Sequence, residues 1–470
     1  MDKGTGPRSP ARGAKRRGRG KVAPRVIVEE RVVKAAIPEG SVFKGHEPFL
    51  VQDLTISVNA ACYQRERWVA PDGQTIPAPL PHGIVGHFGR ELRRFVLMQY
   101  HHGQTTLPRL VALLQSLGMA ISKRQVQRLL TEGHEGFLAE IQAVLRARLE
   151  TAPFVSADGA GARQAGKNGF CTQIGDDWFA WFGTRPSKSR LNFLDLLRAG
   201  HADYVLNDAA YGYMRRHDLS AAVIALLKAH PEQRLDGEAA WTAHLGRLGL
   251  DALKVTPNPV RVATGSALWG SVQSHGFLCG AVVLSDDAGQ FNVGKHALYW
   301  VHAERLVHKL NTFTDAHRAA QKLIRGLIWD FYAALKAYRS KPGKCRALAL
   351  RARFDRIFRR RTGFATLDRL LARLHANKAE LSVVLDRPET PPHTNGSEND
   401  IRCYVTRRKV SAGTRSDAGR DDRDAFLGLT KTCDKLGIPF RDYLGSRLTV
   451  AGHAIVEALD HYVRRRTRYA

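Results

Sequence analysis

The sequence has no apolar run near the ~20 residues that a helix needs to cross a bilayer, so no membrane span is expected. Its first residues carry charges without an apolar core, and no signal peptide is read there. Cysteines are few. Cys62, Cys171, Cys279, Cys345, Cys403 and Cys433 are scattered, with no C-x-x-C pair among them. That spacing supports neither a disulfide scaffold nor a zinc ribbon and fits a reducing, cytoplasmic setting. Acidic residues are scarce beside basic ones, 44 against 72, giving a net charge of +28. A solubilising surface does not need so large an excess; a polyanionic partner does, and nucleic acid comes first. No internal repeat is evident. At 470 residues the chain exceeds what one compact core usually holds, so several domains are expected.

The opening MDKGTGPRSPARGAKRRGRGK is basic and rich in Gly and Pro, which predicts a disordered arm over 1–40 that tracks phosphates or is simply solvated. Residues 41–150 begin with a hairpin signal at Pro71-Asp72-Gly73. Leu107, Leu110, Val111 and Leu114 then keep helical spacing, Gly118 breaks it, and Ser122 is a good cap for a second helix with Val126, Leu129 and Leu130. Lys123, Arg124 and Arg128 sit at the start of that helix. The pattern is that of a helix-turn-helix. Spacing alone leaves a plain pair of bundle helices equally open, and the net charge favours DNA contact. Residues 151–297 read as strand, strand, strand, helix and a later buried strand. The first strand ends on Asp158 and a small-residue run, Gly159-Ala160-Gly161-Ala162; turns are placed at Lys167-Asn168-Gly169 and at Gly175-Asp176-Asp177, and Ser189 is a helix cap. That order predicts an α/β protein with a ribonuclease-H-like mixed sheet. From Gly200 to Gly280 the reading is thinner: helices over 219–230 and 239–249 and a strand at YVLN. In 298–385 the stripe Ile324, Leu327, Ile328, Phe331 and Leu335 predicts a helical insertion. Residues 386–450 return to the sheet domain, and 451–470 form a basic tail.

Three carboxylates stand out. In AVVLSDDAGQF a continuous apolar run ends on Asp286, and APFVSAD ends likewise on Asp158. Chemistry in open α/β sheets sits just beyond the carboxyl ends of such strands. If the two strands are parallel neighbours, their tip carboxylates converge and repel, a conflict that a divalent cation with hard oxygen ligands resolves. The third is Glu398 in HTNGSENDIRCYVTRRKV; Ile401 follows it by three and Val405 follows Ile401 by four, so the three share a face and Glu398 is directed toward the body of the domain. On this reading Arg402, Arg407, Arg408 and Lys409 remain for solvent or phosphate. Taken singly, an Asp after a strand is a turn residue and a Glu in a first helical turn complements the dipole. Asp208 in DYVLND and Asp287 are rivals for the second position.

These blocks resemble bacterial transposases of the insertion-sequence-sixty-six family, within the DDE superfamily, from about Tyr63 to Leu444. The marks are SADGAGARQAGKNGF, LSDDAGQF, YWVHAERLVHKL with its Trp-x-His-Ala-x-Arg signature, and HTNGSENDIRCYVTRRKVSAGTRSDAG, including Ser411, Gly413 and Arg415. The family's cysteine-rich N-terminal zinc element is not found here, and Gly159 stands where its first motif carries a second acidic residue. The resemblance implies that Asp158, Asp286 and Glu398 hold two Mg²⁺ (or Mn²⁺) ions for cleavage at transposon ends and strand transfer into target DNA. With such a pair ~4 Å apart, hydrolysis and joining share one site. It also implies a homo-multimer on paired DNA ends and a location with the bacterial nucleoid in the cytoplasm. His302 and Arg305 are expected to brace the site or contact the scissile phosphate, and Arg407, Arg408, Lys409 and Arg415 to contact phosphates. The competing expectations are a DNA-binding protein without catalysis and a nuclease that cuts without joining.

Overall fold

The computed structural model describes residues 29–467 apart from 52, 82, 83, 85 and 394, with backbone alone at 395 and 467. Most of the proposed basic arm therefore lies outside the described residues. The chain divides into 1–61 and 62–470. In the first unit the described residues are exposed and carry a single turn at 39–40.

The second unit opens with an exposed hairpin, β1 Arg67–Val69 and β2 Thr75–Pro77, joined through the turn at Pro71-Asp72-Gly73. Helix α1 Arg90–Leu97 runs into a π-helical turn, Met98–His102, and then α2 Leu107–Ser116 and α3 Lys123–Leu129 follow. Gly118 takes the left-handed conformation between them, at φ +86°. Ser122 caps α3 by accepting from Gln125 N, and the Gln125 side chain returns to Ser122 N at 2.8 Å. Leu110, Leu114, Val126 and Leu129 are buried, so two short helices meet across their apolar faces, with Lys123, Arg124 and Arg128 exposed. Arg128 pairs with Glu132 at 3.0 Å.

After α4 Glu135–Thr151 come the strands β3 Phe154–Gln164, β4 Lys167–Gly175 and β5 Ala180–Arg185, then α5 Arg190–Leu197, whose cap Ser189 accepts from Asn192 N. A two-stranded sheet of β6 Asp203–Val205 and β7 Arg234–Asp236 carries α6 Asp208–Arg216, α7 Ala221–Ala229 and α8 Gly237–Arg247. Helix α9 Pro259–Ser274 leads to β8 Val282–Ser285 and β9 Lys295–Leu298. The main sheet has five strands in the order β5-β4-β3-β8-β9. β3, β4 and β5 form an antiparallel meander, and β8 and β9 run parallel to β3.

A strand end and a turn differ from expectation. Gly159 to Ala162 continue as strand, paired with β4 down to Gln164↔Lys167. The reversal occurs instead at Ala165-Gly166, both at positive φ (47° and 79°), and Lys167-Asn168-Gly169 belong to β4. Small residues are needed here for closeness rather than turning: a Cβ on Gly161 would come within 3.0 Å of Arg408 Nη1. So Asp158 is not a strand tip. It lies mid-strand, where the parallel ladder to β8 has ended and the antiparallel ladder to β4 goes on.

Helices α10 Trp300–His308, α11 Asp315–Ser340, α12 Lys344–Phe358, α13 Ala365–Ala376 and α14 Lys378–Leu381 enclose an apolar cluster of their own. Ile324, Ile328, Phe331 and Leu335 are buried in it, and Leu327 packs at its edge. The chain returns through α15 Asn395–Ser411, α16 Asp417–Leu436, α17 Phe440–Arg447 and α18 Leu459–Thr467. The expected free tail is, through 467, a docked helix: Leu459 and Val463 are fully buried and α18 packs on α4. Arg464 pairs with Glu150 at 2.5 Å and Arg466 lies 4.8 Å over Trp178, so these cations are engaged with the protein.

Candidate active site

The parallel ladder between β3 and β8 ends at Ser156↔Leu284, and Asp158 and Asp286 each lie two residues further along. Side chains alternate along a strand. Val155 and Ala157 face the large core, whereas Phe154 lies on the opposite face with Val282, Leu284 and Tyr299. Ser156, and by alternation Asp158, share that second face. The start of α15 docks on it, because the Ser156 and Ser397 hydroxyls are hydrogen-bonded to each other while Ser156 also donates to Gly175 O at 2.8 Å. Ser397, Ile401 and Tyr404 form the buried stripe of α15. Glu398, next to Ser397, is thereby carried to the side of the sheet that bears Asp158.

The carboxylates feel one another. Burial pushes the Asp158 carboxyl up to about 6, and the charges of Asp286 and Glu398 add to the shift. A hydrogen bond from Gly159 N (2.7 Å) and the Lys188 ammonium oppose it. Asp286 is half-buried and accepts from Ala288 N at 3.2 Å. The Glu398 carboxylate is 16% exposed and touches two arginines, Arg402 at 2.9 Å and Arg305 at 3.5 Å.

Arg305 and His302 come from α10. That helix is anchored by Trp300, buried among Phe331, Phe354 and Phe358 and donating its ring N–H to Leu381 O at 3.1 Å. With Trp300, Ala303, Glu304 and Val307 turned inward, His302 and Arg305 are left on the side of the carboxylates, 3.4 Å apart. Burial lowers the His302 pKa, and the nearby Asp286 and Glu398 charges pull it back up. The structure thus brings Asp158, Asp286, Glu398, His302 and Arg305 into one neighbourhood.

It does not bring the rivals there. Asp208 is exposed in the first turn of α6, beside the small sheet. Asp287 is exposed and paired with Arg373. Nor does it leave all the basic residues free. Arg407 is buried, stacked 4.1 Å over the Tyr100 ring and donating to the Tyr100 carbonyl; burial lowers its pKa. Arg408 donates to Gly161 O. Both were expected to meet phosphate. They fall three and four residues after Tyr404, on its buried stripe; the Arg408 stem lies over the small residues of β3 and the Arg407 stem runs to Tyr100. Arg402, Lys409 and Arg415 are exposed, though Arg402 is paired with Glu398. Gly413 sits where the chain after α15 is hydrogen-bonded to the β3–β4 hairpin through Thr414 and Arg163; a Cβ there would meet Arg163 O at 2.2 Å.

Cations that the sequence did not single out lie beside the site. Lys188, Arg190 and Arg261, together with His217, whose pKa burial lowers, line a cleft that reaches Gly289 and Gln290, just past Asp286. Arg190 holds that loop by donating to Gly289 O at 2.7 Å. Arg261 comes from α9, a helix whose inward faces carry Gly and Ser as well as apolar residues, so no periodic signal marked it.

The raised Asp158 pKa has a thermodynamic consequence. Between about pH 4 and 6 the folded protein keeps a proton that the unfolded chain has released, so this group's contribution to stability falls as pH rises through that window and stays unfavourable above it. Asp158→Asn is expected to stabilise the chelator-treated protein at pH 7 by about 1–2 kcal/mol and to change little at pH 4, measured by urea unfolding at both pH values. A loss of stability at pH 7 would show that Asp158 is not held against its neighbours' charge.

The sequence profile described as Transposase IS66 family matches residues 280–422. An uncharacterized protein, y4jO, of Sinorhizobium fredii (strain NBRC 101917 / NGR234) is 48% identical over 312 residues, 66% of this chain and 97% of that protein. No solved structure matches the chain. The profile spans Asp286, the Trp300–Arg305 block and the Glu398 helix but not Asp158, and it is through that stretch, with two carboxylates facing one side of a mixed sheet, that the chain belongs to the IS66 family of transposases.

Proposed function

We propose that the protein is a DDE transposase: it cleaves DNA at transposon ends and joins those ends to target DNA, using a divalent cation held by Asp158, Asp286 and Glu398. The observation that carries the reading is geometric: α15, docked through Ser397 on Ser156, carries Glu398 to the face of the sheet that bears Asp158, and Asp286 lies as far past the shared ladder as Asp158 does. The Asp158 carboxyl, pushed up by burial with the Asp286 and Glu398 charges adding, fits that gathering. Clustered acids that resist ionising fit hard-cation binding, for which Mg²⁺ or Mn²⁺, as a pair, is the natural choice. When bound, such cations supply an activated water or 3′-hydroxyl and stabilise the leaving oxygen. The strand order, a three-stranded antiparallel meander followed by two parallel strands, supports a ribonuclease-H-like reading of the sheet domain.

The chain's own residues then have separable roles. Arg305 and Arg402 neutralise Glu398 and stand ready to turn to a phosphate when a cation takes their place. His302, kept neutral by burial, donates or accepts a hydrogen bond at the reacting oxygens without adding charge. Lys188, Arg190 and Arg261 give the cleft past Asp286 a positive lining suited to a DNA strand. Lys409, Arg415 and the start of α3 offer exposed cations for the flanking duplex, and binding of paired ends would use more than one copy of the chain. Among the described residues no helix is long and apolar enough to cross a membrane.

The test is strand transfer with the element's own ends and purified protein. A DNA-binding protein without catalysis would bind those ends and yield neither nicked nor joined product; a nuclease would nick without joining.

A narrower expectation concerns α3. Lys123→Ala with Arg124→Ala should weaken binding to duplex DNA about equally across sequences. The slope of log affinity against log salt should fall by roughly one to two, since each phosphate contact contributes ~0.9. An unchanged slope in fluorescence anisotropy titrations would remove α3 from the DNA-contacting surface.

A further inference from the structure

We propose that His230, Glu232 and His244 form a zinc-binding site. It lies in the layer built on the small β6–β7 sheet, and it neither rests on the function proposed above nor supports it. His230 follows α7, Glu232 precedes β7, and His244 is on α8. One ligand atom from each lies within 4.8 Å of the others.

The second observation is the state of His244. It is fully buried, yet neither ring nitrogen has a hydrogen-bond partner. Buried polar groups are nearly always paired, so an enclosed imidazole with two empty nitrogens calls for a ligand. The His230 ring meets that of His244 edge-on, centroids 4.5 Å apart.

The frame around the three is fixed. Gln233 donates to the His230 carbonyl and to Leu227 O (3.2 Å) and accepts from the Tyr211 hydroxyl, which pins the chain between α7 and β7. Glu232 Oε2 is held by Arg247 at 3.1 Å, which leaves Oε1 to face an ion. His230 Nδ1 accepts from Glu232 N at 3.1 Å, so a cation must displace that bond, either by taking Nδ1 itself or by taking Nε2, which moves the ring proton to Nδ1. Two imidazoles and one carboxylate, with a position left for water, are a zinc donor set; Mg²⁺ and Ca²⁺ prefer all-oxygen sites, and no thiolate is present for copper(I). Tetrahedral ligands at zinc distances are roughly 3.3 Å apart, so ligand atoms that lie within 4.8 Å of one another close by at most about 1.5 Å on binding.

Co²⁺ is a coloured stand-in for zinc in such sites. The full-length Asp286→Ala protein, stripped with chelator, removes the carboxylate cluster as a competing home. It should take up about one Co²⁺ per chain with visible absorption of a four- or five-coordinate ion, displaced by Zn²⁺. Adding His230→Asn should abolish the absorption, and adding Glu232→Gln should weaken Co²⁺ binding at least about tenfold. Neither residue is buried, so both variants should keep the parent's circular dichroism. The proposal is overturned if the parent shows no such absorption, or if it persists at full strength and affinity after either added substitution.

Discussion

Asp286→Ala should lose at least about a thousandfold of strand-transfer activity, roughly 4 kcal/mol of transition-state stabilisation, while binding transposon ends as the native chain does. The residue is half-buried in the loop after β8, its carboxylate accepting one backbone hydrogen bond from Ala288, so its removal costs the fold little. Retained DNA binding is the check on that. Asp287→Ala and Asp208→Ala are the informative companions. Asp287 is spent on a surface ion pair with Arg373, and Asp208 complements a helix start on another sheet, so both should stay within a few-fold of native activity. Joining that survives in Asp286→Ala and disappears in Asp208→Ala would hand the second acidic position to Asp208 and dismantle the proposed site.

Arg148→Ala should be the most destabilising single change of those considered, by about 3–5 kcal/mol. Arg148 and Asp176 are a buried pair, their side chains 3% and 2% exposed. The guanidinium donates from Nε to Asp176 Oδ2 at 2.9 Å and from Nη1 to the Val463 carbonyl at 3.1 Å. One side chain therefore ties α4 to the β4–β5 turn and to α18. Burial raises the Asp176 carboxyl and Arg148 is what chiefly offsets it; with the arginine gone, a carboxylate is stranded away from water. Asp176 also accepts from Trp178 N and Phe179 N, at 2.7 and 3.2 Å, so the turn loosens with it. Asp176→Asn added to Arg148→Ala should recover part of the loss, because the stranded charge is then absent. Urea unfolding measures both, and a single-variant loss under about 1 kcal/mol would mean that the pair is solvated.

How far the sequence led depends on which physical signal each residue left. Asp286 was visible because VVL is apolar at every position, as in a strand covered on both faces, and the carboxylate one residue past that run pairs with a like one after APFVSA. Glu398 was visible from its spacing to Ile401. The mid-strand place of Asp158 was not, since Gly159 to Ala162 look like a turn to any local rule; only the weight of α15 against them shows why small residues stand there. Arg407 misled for a related reason. A charge predicts exposure, whereas its position on the Tyr404 stripe predicts burial, and an aromatic ring under the guanidinium let the second prevail. Helix α9 left no stripe because it is surrounded, and β9 is four residues with Lys and His at its start. Lys188, Arg190 and Arg261 gather by tertiary folding alone. His230 and His244 are similarly joined by the turn of β7.

The helical cluster between β9 and α15 has a bearing on biosynthesis. A growing chain has both aspartates well before Glu398, which is 112 residues after Asp286, or roughly 6–22 s at ~5–20 residues per second. Throughout that interval the nascent protein carries the Ser156 seat without the Ser397 that fills it. Under the proposed reading a ribosome-bound fragment would be unable to cut the chromosome near its own gene, because the last acid arrives only after the intervening bundle has been made.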